Sequence, residues 1–375
     1  MKNEKPGLYI HFPFCHSKCA YCNFYSITSI NLIPQFIAAL IKEIKLYQRR
    51  FDAFDTIYIG GGTPSVFTCG QLAEIIAALN KFFEIDSKAE ITLEVNPGDV
   101  SLEYLKSLRS LGVNRLNIGA QSFDNKMLRF LGRRHNANES RQAIKDARTA
   151  GFTNLGIDLI YGVYGQSINL WKKTLAEAIS FRPEHLSCYQ LTLEASTPLY
   201  KKYRENNIKE PSENQQRKYF FTTAEKLEKA GYIHYEVSNF ARKNNLKSRH
   251  NMKYWRHAPY LGLGPAAHSF LENKRWWNVA SVKNYLEKLA QGKMPVESEE
   301  FLTPDQLKLE TLFLGLRTSE GIDLKLYKKR FGIDLLIDKK NIIEPLIKNQ
   351  LFEVKNGLLR TTLAGMAVAD SLALV

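Results

Sequence analysis

Cys15, Cys19 and Cys22 stand in one short aromatic stretch, His11-Phe12-Pro13-Phe14-Cys15-His16-Ser17-Lys18-Cys19-Ala20-Tyr21-Cys22-Asn23-Phe24. Spacers of three and then two residues let one loop turn all three thiolates toward a single point, as binding a small inorganic centre requires. An iron–sulfur cluster ordinarily takes four cysteine ligands. Three leave one iron open, and an open metal position is where chemistry is done, whereas a fully ligated metal is structural. The alternative is a zinc site with His11 or His16 as fourth ligand, since both site types draw on Cys and His. A disulfide fits poorly, because the triplet is crowded and the total of 5 cysteines is odd. Cys69 and Cys188 are remote from the triplet in sequence and read as small buried apolar residues.

A second set of polar residues follows a series of apolar runs. These are Gly60-Gly61-Gly62-Thr63-Pro64-Ser65, then Glu94 with Asn96-Pro97-Gly98, then Gln121, Asp158 and Gln190. Singly, each has an ordinary use. The glycines serve a turn, having no P-loop lysine after them. Glu94 and Asp158 serve as helix caps, Gln121 as partner of a buried backbone group, and Arg133 as half of a surface ion pair. Their shared position after successive strands favours one common site.

A third group lies at Arg249-His250-Asn251-Met252-Lys253-Tyr254-Trp255, flanked by 235–241 and 260–269 in what reads as irregular chain. A planar anionic ligand needs a nitrogen donor, aromatic surface and cations. His250 offers an axial nitrogen for haem iron, Tyr254 and Trp255 a stacking surface, and Arg249 and Lys253 partners for propionates. His257 and His268 are rival donors, and a lone loop histidine more often only makes hydrogen bonds.

The elements that position these residues alternate. Short β-branched or aromatic runs occur at 8–12, 56–59, 91–95, 115–118, 155–160 and 185–193, and apolar residues three and four apart mark helices over 33–47, 72–83, 102–111, 140–150 and 170–179. Strand alternating with helix predicts an α/β fold with a parallel sheet. Polar residues at successive strand ends are how a TIM-type barrel builds a site at one rim. Six units predict a partial barrel, open on one side. A polar turn at 208–214 precedes a helix over 215–230. From about residue 300 the chain becomes helical and charged: Thr303-Pro304-Asp305 opens a helix to Leu316, short helices follow at 326–330 and 342–346, and 352–354 and 358–360 flank Asn356-Gly357 as a hairpin. The expected domains are a barrel over 1–235, a connecting segment over 236–299 with the His250 motif, and a small C-terminal helical domain with a β-hairpin wing over 300–375.

With 375 residues, 44% of them apolar and 24% charged, the chain can bury a large core. No stretch reaches the roughly 20 apolar residues of a membrane span, and Met1 to Pro6 lack the apolar run of a secretory signal. Metal-type free cysteines suit a reducing compartment, so a cytoplasmic location is expected. Lys and Arg number 52 against 38 Asp and Glu, a net +14. These cations are spread along the chain rather than clustered, which speaks against nucleic acid and leaves a small polyanion or peripheral membrane contact open.

In combination the motifs resemble the oxygen-independent coproporphyrinogen III oxidase family of radical-SAM proteins, and more closely its haem-chaperone branch. The resemblance covers nearly the whole chain. It is carried by Cys15 to Cys22, Gly60 to Ser65, Glu94 to Gly98, Gly119-Ala120-Gln121-Ser122-Phe123, Leu131-Gly132-Arg133, Asp158-Leu159-Ile160-Tyr161-Gly162 and His250 to Trp255. It implies a [4Fe-4S] cluster on Cys15, Cys19 and Cys22, with Tyr9, Tyr21, Gly61, Gly62, Thr63 and Glu94 lining an S-adenosylmethionine site. Gln121, Arg133 and Asp158 match positions that contact an additional S-adenosylmethionine in the oxidase. Two departures from the oxidase favour the chaperone branch: Phe24 replaces a fourth cysteine, and only eight residues precede Tyr9. The resemblance thus implies haem and acceptor haemoproteins as partners, with an electron donor for the cluster and a homodimer open. Porphyrinogen decarboxylation is the alternative activity.

Overall fold

The computed structural model describes residues 4–51 and 53–372. The outermost residues of the expected first and last domains, 1–3 and 373–375, lie outside the described residues, as does the start of the stretch from Met1 to Pro6. Strands β1 (Gly7–Phe12), β2 (Phe54–Gly61), β3 (Ile85–Val95), β4 (Arg115–Gln121), β5 (Leu155–Tyr161) and β6 (His185–Gln190) alternate with helices α1 (Ile33–Leu46), α2 (Cys69–Phe82), α3 (Leu102–Ser110), α4 (Asn125–Leu131), α5 (Ala137–Thr149) and α6 (Ile168–Ser180). Local chemistry fixes the helix starts. Thr68 and Asn136 close capping boxes with Gln71 and Glu139, while Ser101, Asp124 and Ser167 cap with one side chain each.

The six strands pair in parallel and in sequence order. Because side chains alternate along a strand, this register sorts them. Ile57, Ile59, Leu93, Val95, Leu116, Ile118, Ile157, Leu159 and Leu186 are buried in the core that also takes in the helices. The other face collects Tyr58, Glu94, Asn117, Asp158 and Ser187, through the pairs Tyr58↔Thr92, Glu94↔Asn117, Asn117↔Gly156 and Asp158↔Ser187. Burying each Leu or Ile on the first face contributes about 1.5–3 kcal/mol, so the register that turns the polar set inward is strongly specified.

Beyond β6 come α7 (Pro198–Arg204), α8 (Glu213–Lys229), β7 (Ile233–Glu236), β8 (Asn239–Ala241), α9 (Arg249–Trp255), β9 (Tyr260–Leu263), β10 (His268–Leu271), β11 (Lys274–Asn278), α10 (Val282–Ala290) and β12 (Val296–Phe301). Among the described residues these complete a sheet of 12 strands in the order β12-β11-β10-β9-β1-β2-β3-β4-β5-β6-β8-β7. Its edges stay apart, so the barrel is open.

This corrects two expectations. Residues 236–299 do not merely connect: β8 extends the sheet past β6, and β9 joins β1 on the opposite flank, in parallel. The boundary expected at 235/236 falls inside β7, and that at 299/300 inside β12. Strands of three to six residues are too short for their alternation to be read from sequence. The His250 stretch is not irregular either. It is the helix α9, capped by the Ser248 hydroxyl accepting from the Asn251 N–H.

The C-terminal part has its own core of Leu312, Leu316, Ile322, Tyr327, Leu335, Ile343, Phe352 and Leu359. It is built from α11 (Pro304–Gly315), β13 (Ile322–Asp323), α12 (Leu324–Phe331), α13 (Leu335–Asp338), α14 (Lys340–Lys348) and the hairpin β14 (Phe352–Lys355) and β15 (Leu358–Thr361). Helix α9 joins it to the barrel. Lys253 reaches back to the Lys5 carbonyl and Asp55, each at 2.6 Å, while Arg256 pairs with Glu320 at 2.9 Å.

Candidate functional site

The cysteine loop leaves β1 and is tied down at both ends. The Cys15 N–H donates to the Ile27 carbonyl at 3.0 Å and Ile27 returns a bond to Pro13 at 2.8 Å. Further on, the Ala20 N–H donates to Leu131 at the end of α4 and the Ala20 carbonyl accepts from Leu199 at the start of α7. The glycine loop after β2 runs against it: the N–H groups of Gly62 and Thr63 donate to the carbonyls of Phe12 and Phe14 at 2.7 and 2.8 Å. Only glycine fits there. Gly61 has φ +106°, and a Cβ on Gly62 would lie 2.6 Å from the Phe14 carbonyl oxygen. The Thr63 hydroxyl donates to Cys15 Sγ at 3.3 Å, and Arg133 Nη1 donates to Cys19 Sγ at 3.5 Å.

The three sulfurs lie within electrostatic reach. Burial pushes the Cys22 thiol up, and charge on Cys19 and Cys15 pushes it further. Yet no three His, Cys, Asp or Glu side chains among the described residues converge tightly enough for one metal ion. Of the two histidines offered as a fourth zinc donor, His16 is exposed and His11 is engaged elsewhere. Burial lowers its pKa to about 4, so its neutral ring donates from Nε2 to the Tyr25 carbonyl at 2.8 Å and accepts the Tyr9 hydroxyl at Nδ1 at 3.0 Å. The donor set suits an iron–sulfur cluster.

Beside the thiols opens a cavity of about 530 Å³, lined by Tyr21, Cys22, Phe24, Tyr58, Gly61, Gly62, Thr63, Glu94, Asn96, Asn117, Gln121, Arg133, Asp158, Tyr189 and Gln190 among others. Its volume is that of a small-molecule site. Burial pushes the Glu94 carboxyl up to about 7, against the Tyr58 hydroxyl and Gly61 N–H that donate to it, and Asp158 adds to the rise. Burial likewise raises Asp158, which accepts from Ser187 and Asn117 and feels the buried cation of Arg115. Several buried polar atoms of this wall have no protein partner: Asn96 Nδ2, Arg133 Nε, Asn117 Oδ1 and Asp158 Oδ1. A chamber lined by Glu94, Asp158 and Arg133 suits a ligand carrying both signs of charge, and S-adenosylmethionine is such a ligand.

Of the residues singled out in the sequence, Tyr21, Cys22, Gly61, Gly62, Thr63, Glu94, Gln121, Arg133 and Asp158 line this cavity. Tyr9 and His250 do not. Tyr9 stands behind the wall, its ring 6.3 Å from that of Tyr58. His250 is 1% exposed, with Nδ1 bonded to the Thr56 hydroxyl at 3.0 Å and Nε2 to the Tyr254 hydroxyl at 2.8 Å. Burial, with the Lys253 and Arg115 cations, lowers its pKa to about 3. The neutral imidazole is the form that ligates iron, and both nitrogens are hydrogen-bonded in this conformation, so ligation at His250 requires one of those bonds to open. Of its rivals, His257 is buried, its pKa lowered to about 4 chiefly by burial, and neither ring nitrogen makes a hydrogen bond although Nε2 lies 3.1 Å from Glu310 Oε2, whereas His268 is exposed and stacked on Trp277. Sequence reasoning missed Tyr58, Asn117 and Tyr189. Their signal was a polar or phenolic residue at alternate positions of otherwise apolar strands.

A model of the Radical SAM superfamily matches residues 9–178 and one of the HemN C-terminal domain matches 302–368. With a three-cysteine loop and polar cavity at the rim of an open β/α barrel, the chain is a radical SAM protein. Its sequence is 33% identical to the protein named Heme chaperone HemW of Bacillus subtilis strain 168, over 87% of each chain. It is 34% identical to the Heme chaperone HemW of Lactococcus lactis strain IL1403, over 88% of this chain and 86% of that one. The chain belongs to the HemW family. The solved structure of the radical SAM enzyme coproporphyrinogen III oxidase (HemN) from Escherichia coli superposes with a TM-score of 0.85 at 25% identity, covering 99% of this chain and 90% of that one.

Proposed function

We propose that the protein binds haem and passes it to acceptor haemoproteins, carrying a [4Fe-4S] cluster on Cys15, Cys19 and Cys22 and S-adenosylmethionine in the adjacent cavity. The observation that carries this is the likeness to proteins named Heme chaperone HemW along 87% of the chain. Phe24 supports it: it stands where the resemblance gives the oxidase a fourth cysteine, and it is 67% exposed at the cavity. When bound, the cluster supplies one electron, delivered by an external donor, to the sulfonium of its partner ligand. The chain's own part is to hold that ligand. Glu94, ionised above about pH 7, accepts from an ammonium group, and Asn96, Arg133, Tyr21 and Gly61 to Thr63 wall the cavity. In the same reading His250 is the haem donor, on condition that its Nε2 exchanges the Tyr254 hydroxyl for iron.

No helix of the described residues is long and apolar enough to cross a membrane. A cytoplasmic location, a peripheral contact with anionic lipid and a homodimer complete the proposal. The net charge of +14 supports the lipid contact. Leu309 and Phe313, exposed one turn apart on α11, offer apolar surface to a second copy.

Titrating the reconstituted full chain with haemin, then mixing with apomyoglobin, tests the carrier reading. Saturable binding followed by transfer is expected, and absence of binding sinks it. Incubating the reduced protein with coproporphyrinogen III tests the alternative: two decarboxylations per substrate would replace carriage with catalysis.

A further inference from the structure

We propose that Arg133 sets the reduction potential of the cluster by donating a charged hydrogen bond to the sulfur of Cys19. This rests on the cluster reading above. The guanidinium is held by Asn96, Gly119 and Cys19, with the Tyr21 hydroxyl as a further partner. Nη2 donates to Asn96 Oδ1 at 2.7 Å and to the Gly119 carbonyl at 2.8 Å, which leaves Nη1 directed at Cys19 Sγ at 3.5 Å. The anchors come from different strands: Gly119 lies in β4, and Asn96 directly follows β3.

The backbone holds the same two partners together. Helix α4 ends at Gly132 in the left-handed conformation, φ +73°, and the Arg133 N–H closes back onto Leu128 at 2.9 Å. The Leu131 carbonyl then accepts from Ala20, the residue after Cys19, at 3.2 Å. A Cβ on Gly132 would sit 3.1 Å from that Ala20 nitrogen, so the corner and the cysteine loop touch through backbone. Arg133 and Cys19 thus belong to one rigid unit, and the guanidinium does not reach the sulfur by chance of a flexible side chain.

The sign follows from electrostatics. Reduction adds one negative charge to the cluster and its thiolates, and a cation or hydrogen-bond donor at a ligand sulfur stabilises the more negative state. Arg133 therefore makes the potential less negative and eases entry of the electron. Thr63, donating to Cys15 Sγ at 3.3 Å, acts in the same direction without a charge. Cys22, the third ligand, borders the open cavity.

The test is an anaerobic redox titration of the reconstituted full chain, followed by electron paramagnetic resonance, with S-adenosylmethionine left out so that no contact of Arg133 with it contributes. Arg133→Gln is expected to lower the reduction equilibrium constant at least tenfold, which is 59 mV for a one-electron couple. Arg133→Lys should fall between that variant and the parent, and Thr63→Val should drop less than Arg133→Gln. A fully loaded Arg133→Gln protein with the parent potential overturns the proposal. Should Arg133→Gln not hold four irons, Arg133→Lys decides: a potential below the parent's supports the role and an equal one overturns it. If the parent itself assembles no [4Fe-4S] cluster, the cluster reading has failed, and this inference fails with it for a separately visible reason.

Discussion

The Tyr58 hydroxyl donates to Glu94 Oε1 at 2.7 Å across neighbouring parallel strands. With the Gly61 N–H, which also donates to this carboxylate, it fixes Glu94 at the cavity wall. Tyr58 is also the contact between the cavity and the HemW motif helix, since its ring lies 5.3 Å from that of His250.

Glu94 should make S-adenosylmethionine binding pH-dependent. Its carboxyl is pushed up to about 7, chiefly by burial, while an ammonium partner requires it ionised. Affinity should therefore be flat above pH 7 and fall up to about tenfold per unit below it. Tyr58→Phe removes a donor that favours the charged form, worth about 1 kcal/mol, so it moves the midpoint upward by roughly 0.7 pH unit and weakens binding at and below the midpoint only. Calorimetric titration of the reconstituted protein at pH 6, 7 and 8 checks both. Equal affinity across that range would refute the role of Glu94.

Iron should load only through the triplet. Anaerobic reconstitution should give about four irons per chain, the content of the cluster type, and Cys19→Ala should abolish it. Cys69→Ser and Cys188→Ala should load normally, because Cys69 opens α2 and Cys188 is buried in the core shared by β6. One tightly held zinc in the parent, found by elemental analysis, would rule out the cluster.

Stability should depend on Glu43. This carboxylate on α1 is fully buried and accepts from Asn278 Nδ2 at 2.6 Å, the Tyr285 hydroxyl at 2.7 Å and the Gly264 N–H at 2.8 Å, tying β11, α10 and the end of β9 to the helix. Burial nevertheless pushes it up to about 7 from 4.5. The folded protein then binds the extra proton between those values, so stability is greatest below pH 4.5 as far as this group goes. It declines as pH rises to about 7 and stays level above, by an amount on the order of 3 kcal/mol. Glu43→Gln should flatten this dependence in thermal melts of the apoprotein at pH 5 and 8. A variant with the parent's full pH response would show that other groups cause it.

The cysteine loop was legible because its residues are local: spacing alone keeps Cys15, Cys19 and Cys22 in one short segment beside the cavity. The alternation of strands and helices was legible for the same reason, each unit carrying its own period. Tyr58 and Asn117 were not, since which way a strand residue faces depends on register against its neighbours. Residues 236–299 failed differently. The pairing of β9 with β1 joins Tyr260 to Gly7, a contact no local pattern announces. His250 looked like a loop residue because α9 spans only 7 residues, too few to display a helical stripe.

In the function proposed above, the burial of His250 makes haem binding there a matter of release. The Tyr254 hydroxyl holds Nε2 at 2.8 Å, one helical turn further along α9. Tyr254→Phe removes that partner and leaves a buried nitrogen unsatisfied, a state that iron would relieve. Haem affinity should therefore rise in Tyr254→Phe, by about fivefold for a hydrogen bond of roughly 1 kcal/mol. It should fall in His250→Ala, with a changed visible spectrum, because the axial ligand sets the field at iron. His268→Ala, which alters an exposed ring stacked on Trp277, should match the parent. Haemin titrations of the three variants, with iron content measured in parallel to show the cluster intact, separate the outcomes. Loss of affinity and spectrum in His268→Ala, with both retained in His250→Ala, would move the donor to β10 and leave His250 as part of the cavity's supporting wall.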